Sequence, residues 1–76
     1  MNKIRATYQK KREDYIISVD YTYYWEYGDY VTPGGHDIDI TEVYIDDYSI
    51  PLEFFYDYIY EDLEEEIFDN ALGNRN

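Results

Sequence analysis

Tyr15-Ile16-Ile17-Ser18-Val19-Asp20-Tyr21-Thr22-Tyr23-Tyr24-Trp25 is the stretch that decides how this chain folds. Read with a period of two, Tyr15, Ile17, Val19, Tyr21, Tyr23 and Trp25 fall on one face, and Ser18, Asp20, Thr22 and Tyr24 on the other. That alternation marks a long, half-buried strand. Its β-branched and aromatic residues favour the same state, so propensity and pattern agree. Gly28-Asp29 and Pro33-Gly34-Gly35 then break it, because glycine tolerates turn geometries and proline has no amide to give to a ladder.

Towards the C-terminus a second strand is predicted over roughly Asp37 to Ile45. Ile38 and Ile40 share one parity while Val43 and Ile45 take the other, a shift that a β-bulge near Thr41 or Glu42 reconciles. Asp46-Asp47 reads as a tight turn, and Tyr48-Ser49-Ile50 as a short third strand before Pro51. Beyond Pro51 the period changes. Leu52, Phe55, Tyr56, Ile59, Leu63, Ile67 and Ala71 recur at helical spacing, with Pro51 suited to the first turn and Gly73 to the stop. Glu53, Asp57, Glu61, Asp62, Glu64, Glu65, Glu66 and Asp69 crowd the other faces with no Lys or Arg to pair along the helix, so its apolar stripe has to dock on the sheet. The expected class is α+β: a two- or three-stranded antiparallel sheet packed against one C-terminal amphipathic helix.

Towards the N-terminus, Lys3, Arg5, Lys10, Lys11 and Arg12 carry five of the six positive charges. Ile4, Ala6 and Tyr8 alternate with polar neighbours, which fits either an edge strand or a frayed tail. The organisation read from the sequence is a basic arm or edge strand over 1–14, a single acidic domain over 15–73 and a tail over 74–76.

The chain has 76 residues, a net charge of −12 and no cysteine. One small domain of this length buries a modest fraction of its surface, and disulfides and thiolate metal sites are excluded. Aromatic residues reach 21%, too many for a disordered acidic tail. Tyrosine buries a ring while keeping its hydroxyl wet, which suits a small, highly charged fold. The basic start is not followed by the apolar stretch of a signal peptide, and no run of apolar residues is long enough to span a membrane. Anionic lipid should repel the chain, so a cytoplasmic protein without membrane association is expected.

No catalytic motif stands out, and an enzyme is not expected. His36 is the sole histidine and has no sequence-paired nucleophile; Ser18 and Ser49 lack a triad or a nucleophile elbow, and there is no phosphate-binding loop. Asp37 with Asp39, Asp46 with Asp47, and Glu64 to Glu66 are hard oxygen ligands, but none follows the EF-hand spacing; no metal or cofactor is expected. Tyr21, Tyr23 and Trp25 resemble a stacking platform for bases. Direct nucleic-acid binding nevertheless conflicts with the absence of any Lys or Arg between Arg12 and Arg75, since phosphate binding rests on cations.

The same polyanion suits the reverse role, occupying the basic groove that another protein uses for DNA or RNA. Side chains on one face of a strand repeat about every 6.6 Å, so carboxylates can be spread as regularly as phosphates. The candidate set is Asp20, Glu26, Asp29, Asp37, Asp39, Glu42, Asp46 and Asp47 with the helical Asp57, Glu61, Asp62, Glu64, Glu65, Glu66 and Asp69. Tyr24, Tyr27, Tyr30 and Tyr48 are the candidate aromatic anchors, each also readable as ordinary packing. The alternative is a homodimeric structural module whose acidity only keeps it soluble.

Val19-Asp20-Tyr21-Thr22-Tyr23-Tyr24, then Pro33-Gly34-Gly35, then Ile38-Asp39-Ile40-Thr41-Glu42-Val43 and an acidic helix form a pattern over about 16–72. It resembles small acidic proteins encoded by bacteriophages and prophages. The resemblance implies an inhibitor of host defence, of the anti-restriction or anti-CRISPR kind, with a nuclease or CRISPR effector as partner. The basic arm before Asp14 has no place in that pattern.

Overall fold

The computed structural model describes residues 2–28 and 34–74. Four strands, β1 (Asn2–Lys11), β2 (Ile16–Glu26), β3 (Gly35–Ile45) and β4 (Tyr48–Ile50), form one antiparallel sheet in the order β1-β2-β3-β4. Helices α1 (Leu52–Tyr58) and α2 (Tyr60–Asn74) follow and cover one face of it. The class is α+β as expected, but the sheet has four strands where two or three were predicted. The added strand is the basic arm. All ten residues of β1 pair with β2, from Asn2 opposite Trp25 to Lys11 opposite Ile16. That register sets Ile4, Ala6 and Tyr8 opposite Tyr23, Tyr21 and Val19, so the arm's weak alternation extends the apolar face.

The core joins Ile17, Val19, Tyr21, Tyr23, Ile40 and Val43 of the sheet to Phe55, Leu63, Ile67 and Ala71 of the helices. Each large side chain buried in this way contributes roughly 1.5–3 kcal/mol, which explains why so small a chain closes without disulfides. Tyr15, predicted on this face, precedes the strand and is exposed, and Trp25 is only half-buried. The two deepest tyrosines keep partners for their hydroxyls: Tyr21 accepts from Asn70 Nδ2 at 2.6 Å, and Tyr23 meets His36 Nδ1 at 2.9 Å.

The predicted bulge lies at Thr41. Asp20 pairs with Glu42 and the next residue, Tyr21, with Ile40, so Thr41 is left over. Its hydroxyl donates to the Asp20 carbonyl at 3.1 Å. The insertion brings Ile38 and Ile40 onto the same face as Val43 and Ile45, since a one-residue offset exchanges the two faces of a strand. The Asp46-Asp47 turn is also observed. Asp46 adopts φ 54°, a region where aspartate is tolerated, and it pairs with Ile16 through its amide at 2.8 Å and its carboxylate at 3.1 Å.

The single predicted helix is in fact two. Ile59 leaves helical geometry at φ −121° and ψ −40°. Phe55, Ile59, Leu63, Ile67 and Ala71 recur every four residues, and each such step drifts about 40° around a helix, so Phe55 and Ala71 would stand roughly 160° apart on an unbroken one. The break at Ile59 lets both ends of the stripe face the sheet. Pro51 occupies the N-cap position, its carbonyl accepting from Phe55 N at 3.2 Å. Gly73 does not stop the helix; α2 runs through it to Asn74.

Candidate functional site

The meander divides the predicted carboxylates between two sides of the molecule. With α1 and α2 on the core face, the opposite face of the sheet is open. It presents Asp20 and Tyr24 from β2 and Asp37, Asp39 and Glu42 from β3. On the other side, Asp57 of α1 and Glu61, Asp62, Glu64, Glu65 and Asp69 of α2 are exposed. Glu26 ends β2 and is exposed, as are Asp46 and Asp47 in the β3–β4 turn. Asp29 and Tyr30 lie outside the described residues.

The two carboxylate groups differ in how firmly they are engaged. On the open face Asp20 accepts from Thr7 Oγ1 at 2.7 Å, Asp37 accepts from Ile38 N at 2.8 Å, and Glu42 accepts from the Tyr44 hydroxyl. That bond to Glu42 pushes the Tyr44 phenol up. Asp46 is occupied in holding Ile16 and serves the fold.

On the helical side Glu66 is also committed. Both its oxygens accept from Lys10 Nζ, at 2.8 and 2.9 Å, and the lysine holds the Glu66 carboxyl below its usual range despite opposing desolvation. This is the one ion pair among the described residues. Burial, followed by Glu66, raises the Tyr8 phenol beside it.

The remaining carboxylates of α2 border a groove of about 640 Å³ lined by His36, Glu61, Asp62, Glu64, Glu65, Phe68, Asp69 and Leu72. Its floor is aromatic: His36 lies 4.9 Å from the Phe68 ring centre and edge-on to Tyr23 at 5.8 Å. His36 thus serves as a packing and hydrogen-bonding residue between β3 and α2. Tyr60 is raised by burial first and by Glu64 second, so negative potential reaches the helix junction.

Of the predicted aromatic anchors, Tyr48 is 78% and Tyr27 75% exposed, whereas Tyr24 is half-buried on the open face. Sequence reasoning did not single out a further exposed aromatic pair. Phe54 (46% exposed) and Tyr58 (71%) lie four residues apart on the outer side of α1 with ring centres 5.0 Å apart. The available signal was their offset from the Phe55–Ile59–Leu63 stripe, which leaves them facing away from the sheet.

Among the described residues no group of three or more His, Asp or Glu side chains is placed to hold a metal ion. Nor is any helix there long and apolar enough to cross a membrane. Comparison with protein-family models, curated proteins and solved structures gave no match.

Proposed function

We propose that this protein acts by binding, as an acidic mimic of nucleic acid that occupies a basic nucleic-acid-binding surface of another protein. The observation that carries this reading is the charge density of α2. Glu61, Asp62, Glu64, Glu65 and Asp69, all free of ion pairs among the described residues, fall within about 12 Å of helix axis, roughly one free carboxylate per 2.4 Å. Duplex DNA carries one phosphate charge per about 1.7 Å. Only Glu66 is neutralised by a cation within the chain among the described residues.

Such a surface steers cationic partners through long-range attraction, and the exposed Phe54–Tyr58 pair supplies apolar area to hold them once they arrive. Phage origin and an anti-defence target, a nuclease or CRISPR effector, are the setting that the sequence resemblance suggests for this activity.

The test is affinity capture of bacterial lysate proteins on the immobilised full chain, followed by elution with duplex DNA at low salt. Nucleases and other nucleic-acid-binding proteins should be retained, released by the DNA, and absent when binding is carried out at high salt. If the column holds no such protein, or DNA fails to displace those it holds, the mimicry reading falls.

A further inference from the structure

Charge on the open face of the sheet is graded across the strands. Lys3 and Arg5 on β1 stand opposite Tyr24 and Thr22 on β2, which in turn stand opposite Asp37 and Asp39 on β3. Lys3, Arg5, Thr22, Tyr24, Asp39 and Thr41 line one shallow groove of about 570 Å³ there, cations on one bank and a carboxylate on the other. Lys3 and Arg5 make no ion pair among the described residues. The helices cover the opposite face, so no described element of the chain shields this one.

We propose that a second copy of the chain covers it, the two open faces meeting about a two-fold axis that runs parallel to β2 between them. This rotation exchanges the left and right edges of the sheet but keeps the position of each residue along the strands. β1 of one copy therefore lies over β3 of the other: Lys3 meets the partner's Asp37, Arg5 meets the partner's Asp39, and symmetry doubles both pairs. Packed sheets stand about 10 Å apart, a gap that an extended Lys or Arg and an Asp span together. A two-fold axis perpendicular to the strands would instead set β1 on β1 and β3 on β3, like charge on like. Edge-to-edge pairing of two β1 strands would also gather the cations. Charge complementarity thus selects one arrangement.

The contact is small. Eight residues by three strands cover roughly 27 by 14 Å, below the size of a stable specific interface, so the dimer is weak and exchanges readily. It carries two liabilities: Asp20 lies on the central strand and meets the partner's Asp20, and each copy has a net charge of −12, so the pairs across the contact act against an overall repulsion. The association leaves α1 and α2 facing outwards on both sides and is independent of the proposed mimicry.

Sedimentation velocity of the full chain over a concentration series, at low and moderate salt and at about 1 M salt where charges are screened within about 3 Å, reads the dimer directly. Wild type should dimerise at moderate ionic strength, where the repulsion between two chains of net charge −12 is damped, and should dissociate at high salt, where the cross-copy pairs are screened as well. K3E/R5E and D37K/D39K, each checked for folding by circular dichroism, should each weaken self-association about tenfold or more, since every cross-copy pair becomes repulsive. Mixed together, the two variants should form a heterodimer, because all four pairs are then opposite in sign. D20N should tighten the wild-type dimer, and K3Q/R5Q provides a milder variant that weakens it. A wild type that stays monomeric at every concentration and at every salt tested overturns the proposal, as does a dimer unaffected by K3E/R5E or a mixture that shows no heterodimer.

Discussion

Lys10 and Glu66 join the basic strand to the acidic helix at a point where both side chains remain partly exposed. A solvent-screened ion pair of this kind contributes little to stability, so K10A or E66Q should lower it only slightly. The pH dependence has a fixed sign. Glu66 is depressed in the fold, so its contribution is present above the ordinary glutamate value of 4.5 and is lost as pH falls through the lower folded value. Urea melts of wild type and E66Q should accordingly differ at pH 7 and coincide in strong acid. Tyr8, Tyr44, Tyr56 and Tyr60 are shifted the other way. A raised phenol stabilises the fold fully below its ordinary value of 10, and that contribution is lost as pH rises through the raised folded value, so melts should weaken in strong alkali as tyrosinate absorbance grows. Buried residues matter more: Phe55→Ala or Leu63→Ala removes a fully buried side chain and should cost about 2–5 kcal/mol. These core positions were legible because the apolar period was strong. The Lys10–Glu66 pair was not, since it joins residues far apart in the chain and no periodicity relates them.

At the scale of elements, the Thr41 bulge was legible because the parity of Ile38 and Ile40 conflicts with that of Val43 and Ile45. Deleting Thr41 would turn Ile38 and Ile40 out to the open face while Val43 stays in the core, and should abolish cooperative thermal unfolding. Gly34 is a second local requirement. A Cβ there would sit 2.6 Å from the Glu26 carbonyl oxygen and 2.6 Å from the Gly28 nitrogen, so Gly34→Ala should lower the melting temperature where Gly35→Ala, in open space, changes it much less. The break at Ile59 went unread although the spacing from Phe55 to Ala71 held the clue: four successive steps of four drift off any straight helix. Strand β1 was ambiguous for a different reason. Three modest apolar residues among four cations do not reveal pairing until the strand beside them is known.

For the whole molecule, separation of charge is the governing property. β1 holds four of the six cations and Arg12 follows it directly, whereas most of the carboxylates lie on the open sheet face, the helices and the turns. Self-repulsion among them opposes compaction, so added salt at pH 7 should raise the melting temperature, the reverse of a protein stabilised mainly by surface ion pairs. Sequence alone counted the carboxylates correctly but could not sort them between two sides of a sheet, because that division depends on which face the helices cover.

The most direct test of the mimicry is side-by-side capture of lysate proteins on wild type and on E61Q/D62N/E64Q/E65Q/D69N, a variant whose helix keeps its shape while losing its free charges. Nucleic-acid-binding proteins should be retained by wild type at low salt and lost from the variant. Equal retention on both columns, or none of these proteins on either, would contradict it.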